Sequence, residues 1–388
     1  MKNDKSDHWD IFCTVIDNYG DIGVTWRLAK QLHKEFNKNI HLWVDDLTSF
    51  GHILPLLDRS LPHQICSGIH IHKWNDQTTQ QWVAGEVIIE GFACELPMII
   101  ISEMAKQTQQ SPLWLNLEYL TAEEWVDNCH ALPSTHHLGV NKHFYFPGFS
   151  PKTGGLICEK NLLTERALWQ QDKSAQQQFL DELNIKIDIN SNTQLISIFS
   201  YESPALTALC ERWVSGKKQT HALVPMGKSL LSILPVFSTD IDTITAGMSL
   251  EKGNLTLHTL PMTDQKGYDK LLWTCDINIV RGEDSFLRAQ WAAKPFIWHI
   301  YPQDENVHIK KLNAFTDRYC EDLDEEYAVT IRKLNLSFNQ DNADLTAENW
   351  DKLQKQQPHV LEHAKKWPKK ALNGSDLATR LVNFAKNR

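Results

Sequence analysis

Apolar positions along the chain fall into short continuous runs separated by segments with a helical period. Residues 11–16 form a compact, partly β-branched run, the pattern of a buried strand. The turn-rich stretch Asp17-Asn18-Tyr19-Gly20-Asp21-Ile22-Gly23 follows. Val24, Leu28, Leu32 and Phe36 then recur every four residues, one face of a helix. Residues 40–44, 86–90, 98–101 and 113–119 read as further strands. A strand–helix alternation of this kind predicts a parallel sheet covered by helices.

The pattern changes between residues 147 and 190. Pro147-Gly148 and Thr153-Gly154-Gly155 are turn material, and a polar, glutamine-rich, helix-prone run spans residues 161–183. A second series then begins, with strands expected at 195–200, 221–224, 255–260, 277–280 and 296–300. The tail reads as helices at 347–354, 360–366 and, after Pro368, 376–386. Leu377, Leu381, Phe384 and Ala385 line one face of the last. The expected organisation is an N-terminal Rossmann-like domain over residues 1–183 and a C-terminal one over 184–366. Helix 367–388 is expected to pack back on the first. A length of 388 residues suits two domains. Ligands of such sheets bind beyond the carboxyl ends of the strands.

Charge and composition narrow the function. The net charge of -9 argues against nucleic-acid binding. No apolar run is long enough for a membrane span, and the first ten residues do not form a signal peptide. Eight scattered cysteines without a C-x-x-C pair read as reduced core thiols, which points to a cytoplasmic protein. Seventeen histidines include no H-E-x-x-H motif, and His70 and His72, alternating on a strand, read as strand residues rather than zinc ligands. No metal or cofactor is expected. Asp240-Ile241-Asp242 is the one clear D-x-D, and it reads as a chance loop sequence.

Two loops carry candidate chemistry. The first, Asp17–Gly23, has neither G-x-G-x-x-G nor a P-loop pattern. Its carboxylates would repel a phosphate at the helix start, so it suits gripping a cation or removing a proton. The bland alternative is that Asp21 caps the helix. The second loop is Arg281-Gly282-Glu283-Asp284-Ser285, between a strand and a helix. Ser285, the free N–H groups of the first helical turn and Arg281 would make an anion site that takes the place of a metal. A capped helix, with Arg281 paired to a neighbouring acid, fits the same residues. Upstream, Gln265 and Tyr268 suit a nucleobase, and Phe199 and Tyr201 suit an aromatic wall or plain strand packing.

Four blocks carry a family resemblance: residues 16–24, Asn116-Leu117-Glu118-Tyr119-Leu120, Tyr145-Phe146-Pro147-Gly148-Phe149, and Val280–Phe286 with Ala289-Gln290-Trp291. In order and spacing the chain resembles the bacterial protein-arginine rhamnosyltransferases that mature elongation factor P, the EarP family. The resemblance implies a GT-B fold, two Rossmann-like domains facing each other across a cleft. It implies dTDP-β-L-rhamnose as donor, an arginine of elongation factor P as acceptor, and inversion at the sugar. It also implies Asp21 as general base, with Asp17 and Glu283 as further catalytic acids. Arg281, Asp284 and Ser285 would hold the donor, with Phe199, Tyr201, Gln265 and Tyr268 around the thymidine. Tyr19, Gly20 and Glu118 are candidates on the acceptor side. The competing readings are a nucleotide-sugar epimerase or synthase of the same fold, and a non-catalytic protein that only binds elongation factor P.

Overall fold

The computed structural model describes residues 7–16, 19–80, 82–107, 111–189 and 191–388. They form two compact units, residues 1–160 with 371–388 and residues 161–370.

The first unit is built on a sheet with strands β1 (His8–Cys13), β2 (Asn39–Val44), β3 (His63–Cys66), β4 (Ile69–Lys73), β5 (Val87–Gly91), β6 (Leu113–Leu117), β7 (Pro133–Thr135) and β8 (Asn141–Tyr145). Their order is β3-β4-β2-β1-β5-β6-β8-β7. The β3–β4 and β7–β8 pairs are antiparallel, and the pairs between them are parallel. β1 is buried along its whole length; it starts at His8 and ends at Cys13, earlier than the apolar run 11–16, whose last residue, Ile16, is 70% exposed. The chain leaves β1 toward β2 and later crosses back to β5 on the other side. The β1/β5 boundary is therefore the topological switch point of this sheet, the place where sheets of this class bind their ligands.

The second unit repeats the plan with β9 (Gln194–Ile198), β10 (Thr220–Pro225), β11 (Ser249–Lys252), β12 (Leu255–Leu260), β13 (Ile277–Arg281) and β14 (Phe296–His299), in the order β11-β12-β10-β9-β13-β14. All neighbours are parallel except β11–β12. Its switch point lies between β9 and β13.

Three expectations are corrected. Residues 98–101 begin the helix Met98–Lys106 rather than a strand. Ile100, Ile101 and Met104 fall on one helical face and enter a core with Phe12, Trp43, Ile88 and Trp114. The run 161–183 is two helices, Leu162–Gln171 and Lys173–Glu182, broken where Asp172 caps the second. Both belong to the second unit, which moves the division from residue 183 to residue 160. The cause is visible in their contacts: Trp169 Nε1 donates to Thr274 Oγ1 at 3.0 Å, Gln170 Nε2 donates to Ala292 O at 2.9 Å, and Leu180 joins Leu195, Leu223 and Leu271 in one core. Finally, the helix Gln357–Leu372 runs through Pro368 instead of ending there.

The helix Leu377–Lys386 lies against the first unit. Gln31 Nε2 bridges Cys158 O at 2.9 Å and Asp376 Oδ1 at 3.1 Å. Arg380 Nη1 donates to the carbonyls of Ser150 and Thr153. Phe384 meets Tyr145 edge-on at 5.7 Å. All eight cysteines are free thiols. Among the described residues no helix is long and apolar enough to cross a membrane.

Candidate active site

In the first unit, the loop after β1 leads into the helix Gly20–Phe36. Tyr19 is the residue before its first turn and makes no side-chain cap; its ring meets His52 edge-on at 5.9 Å. Asp21, one residue into the helix, is buried at 4% exposure. Its carboxylate is held from two sides: the Ile16 N–H donates to Oδ2 at 3.0 Å, and the Tyr119 hydroxyl donates to Oδ1 at 3.2 Å. It therefore ties the preceding loop and the strand β6 exit to the helix start. Asp17 lies outside the described residues. Gly20 begins the helix, and Glu118 accepts from Asn116 Nδ2 at 2.5 Å.

Beyond β5 the backbone is unusual. Phe92, Ala93 and Glu95 all have left-handed φ, at 55°, 54° and 53°, a region that costs energy for residues with a Cβ. The turn is fixed by hydrogen bonds: Phe92 N–H to Leu117 O at 2.7 Å, Ala93 N–H to Asn116 Oδ1 at 2.9 Å and Glu95 N–H to Glu90 Oε1 at 3.2 Å. It lays the Phe92 ring on Tyr119, centroids 4.6 Å apart. Phe92 and Tyr119 are site residues that sequence reasoning missed. Tyr119 stands inside the Asn116–Leu120 block, which was the available signal; Phe92 had none, because its role comes from the turn geometry.

In the second unit, parallel pairing sets Ile279 beside Ile198, and the Phe199 N–H donates to Ile279 O at 2.8 Å. Arg281, the last residue of β13, is thereby delivered to the end of β9. Its guanidinium carbon lies 4.5 Å from the Phe199 ring centre and 4.8 Å from that of Tyr201. The two rings hold it by cation–π attraction. Arg281 is 6% exposed, and its Nη1 is buried with no hydrogen-bond partner. A buried guanidinium donor left open is costly unless something accepts from it.

The helix Asp284–Trp291 starts directly after, with Glu283 as its preceding residue and no side-chain cap. Ser285, in its first turn, is buried. The helix is anchored behind the site. Arg288 Nε and Nη2 donate to Asp269 Oδ1 and Oδ2 at 2.8 and 2.7 Å, a buried bidentate pair. Trp298 stacks on Phe286 at 3.7 Å and donates from Nε1 to Gly282 O at 2.9 Å. Asp269 belongs to the helix Gln265–Thr274, which also carries Gln265, buried, and Tyr268. Tyr268 meets Phe199 edge-on at 5.8 Å. Burial pushes its phenol pKa well above the ordinary value, and Ser285 lies close enough to pull it back without completing a hydrogen bond to the buried Oη. Phe199, Tyr201, Tyr268 and Arg281 thus meet at the β9/β13 end, Asp284 and Ser285 lie in the helix that follows β13, and Gln265 is the first residue of the helix that carries Tyr268.

His299 and Lys228 join this group and were also missed. His299 meets Tyr201 edge-on at 5.2 Å, and burial, then Arg281 and His308, lower its pKa to about 4. The exposed Lys228 has its Nζ 5.9 Å from the Tyr201 ring centre. It sits in Gly227-Lys228-Ser229, a fragment of a phosphate-binding pattern without the earlier glycine. By contrast Asp240 of the D-x-D accepts from the Asp242 N–H at 3.1 Å and caps a short turn.

Two Rossmann-like units, each with its candidate residues at the switch point, make up the GT-B fold. A UDP-GlcNAc 2-epimerase from Neisseria meningitidis bound to UDP-GlcNAc shares that fold with a TM-score of 0.54 at 9% identity, over 98% of this chain and 99% of its own. The family model described as Elongation-Factor P (EF-P) rhamnosyltransferase EarP matches residues 9–386, and the chain belongs to this family of glycosyltransferases. A protein-arginine rhamnosyltransferase from Shewanella oneidensis is 53% identical over 98% of each chain. A solved structure described as the structural basis for EarP-mediated arginine glycosylation of translation elongation factor EF-P is 30% identical. Its TM-score is 0.69, over 98% of this chain and 99% of its own.

Proposed function

We propose that this enzyme moves L-rhamnose from dTDP-β-L-rhamnose to an arginine side chain of elongation factor P, in the cytoplasm and with inversion at the anomeric carbon. The observation that carries the donor half is Arg281, fixed between two aromatic rings with a buried donor open. In this reading the open Nη1 and the N–H groups at the start of helix Asp284–Trp291, with Ser285, receive the diphosphate. Phe199, Tyr201, Gln265 and Tyr268 surround the thymidine. No metal is needed, because Arg281 and the helix start supply the positive charge. Glu283 and Asp284 flank the sugar end of that anion site.

The acceptor half belongs to the loop of Asp17 and Asp21, with Tyr19, Gly20 and Glu118 beside it. An arginine guanidinium is protonated in water and a poor nucleophile. Asp21, oriented by Tyr119 and the Ile16 N–H, accepts one guanidinium proton as the nitrogen forms its bond to the anomeric carbon. The carbon–oxygen bond to the diphosphate breaks on the opposite side, and dTDP leaves with the electron pair. The sugar passes through a cation-like transition state.

The test is the intact mass of elongation factor P after incubation with the enzyme and dTDP-rhamnose. This reading expects a gain of one deoxyhexose. Donor turnover with no gain would point to an epimerase or synthase, and binding with neither would point to a non-catalytic partner.

A further inference from the structure

A second cluster of chemistry lies on the first sheet, away from the loops described above. His8, His41 and His70 occupy the first halves of β1, β2 and β4, whereas Asp21 follows the last residue of β1. Strand register explains the clustering. His41 pairs with Asp10 on one side and with His70 on the other, and His72 pairs with Trp43 and His63. Alternation then puts all of these side chains on one face. The rings pack closely: His8 on His41 at 4.2 Å, His41 on His70 at 4.5 Å, His63 on His72 at 4.6 Å and Trp43 on His72 at 4.1 Å.

We propose that His41, His70 and His72 bind one divalent transition-metal ion, zinc being the best match, with His63 as fourth ligand. Each of the first three offers a ring nitrogen, and the three nitrogens lie within 4.8 Å of one another. His63 Nε2 stands 3.2 Å from His70 Nδ1. Tetrahedral zinc with bonds of about 2.0–2.1 Å spaces its nitrogen ligands about 3.3 Å apart, so that pair already has the spacing. The other nitrogens close in by rotation of partly exposed rings. His72 Nε2 is buried with no hydrogen-bond partner, an open lone pair or N–H that a metal on that face would resolve.

A buried carboxylate holds the rings in place. Asp10 is a supporting residue rather than a ligand. Its Oδ1 accepts from Trp43 Nε1 at 2.9 Å and its Oδ2 from the Gly85 N–H at 3.1 Å, with His8 Nε2 3.1 Å away. It thus fixes Trp43, on which His72 stacks, and His8, on which His41 stacks. An all-imidazole set selects zinc, copper or nickel over magnesium and calcium. The ion would tie the hairpin β3–β4 to β2, a structural role separate from the transfer chemistry.

The experiment uses the full chain without an affinity tag, stripped with EDTA and titrated calorimetrically with zinc chloride, magnesium chloride serving as control. The expected result is one zinc per chain, no magnesium binding, and a raised melting temperature with zinc. His70→Gln should weaken zinc at least about 10-fold, and His41→Ala/His70→Ala/His72→Ala should abolish it. Circular dichroism checks the fold of each variant. If the triple variant unfolds, the single variants His70→Gln and His63→Gln decide. Absence of stoichiometric zinc binding, or equal affinity in wild type and both single variants, would show a hydrogen-bonded histidine stack and overturn the proposal.

Discussion

The Tyr119 hydroxyl donates to Asp21 Oδ1 at 3.2 Å while its ring rests on Phe92. The contact joins residues 98 positions apart. It means that the geometry of the proposed base depends on a strand exit and on a strained turn, as well as on its own loop. Hydrogen bonds to a charged group are worth about 1.5–3 kcal/mol, enough to orient a carboxylate that is otherwise buried.

Asp21→Asn is expected to bind donor normally and to lose transfer. Tyr119→Phe is expected to keep donor affinity and slow transfer by about 10-fold or more, the equivalent of one such bond. Donor calorimetry with single-turnover rates reads both. Transfer at the wild-type rate by a folded Asp21→Asn would remove Asp21 as the base.

Arg281→Ala is expected to weaken dTDP binding by about 10- to 100-fold, and Ser285→Ala by less. Arg281→Lys should not restore it, because a lysine lacks the flat fork that lies between the Phe199 and Tyr201 rings. Calorimetric titration with dTDP checks this. Wild-type affinity in all three would reduce the loop to a helix start.

The Arg288–Asp269 pair is 1% and 7% exposed at the side chains. Asp269→Ala removes a buried bidentate partner of the guanidinium, and breaking a buried pair costs about 3–5 kcal/mol. The expected outcome is a clear drop in the denaturation midpoint. An unchanged midpoint would show that the pair does not anchor the helix.

His130, His258 and His299 have pKa values lowered to about 4, with burial the first cause in each. In the unfolded chain each takes up a proton near its ordinary value of about 6.5. The folded state binds fewer protons over that range, so stability falls as pH drops from about 6.5 toward 4 and levels off from these groups below it. Urea denaturation at pH 7.5, 6 and 5 should show a falling midpoint. A flat or rising midpoint would contradict the burial of neutral rings.

Much of the frame was legible in the sequence because buried parallel strands write themselves as continuous apolar runs. Residues 87–89 and 222–224 are of that kind, and both lie in strands. The run 98–101 has the same composition, yet it is helical, since a short apolar run carries no period and its continuation to Met104 decides. The Arg281–Ser285 loop was readable as a strand-to-helix turn, but its two explanations were locally equal. Only pairing between β9 and β13, distant in sequence, brings Phe199 and Tyr201 onto the guanidinium. The histidines show the same limit. Period two was evident for His70 and His72, while His41 and His63 reach them only through strand register.

The central claim is that the enzyme rhamnosylates an arginine through a metal-free site in which geometry outweighs basicity. It is tested most directly by intact mass of elongation factor P carrying either arginine or lysine at the target position. Each form is incubated with the enzyme and dTDP-rhamnose in excess EDTA. Lysine has the lower pKa and would be the better acceptor if proton removal alone limited the rate. Its point charge on a flexible stem does not match a planar fork, and misplacement at a reacting centre costs about 100-fold. The account predicts one added deoxyhexose on the arginine form and none on the lysine form. Efficient modification of the lysine form, or loss of arginine modification that magnesium or manganese restores, would contradict it.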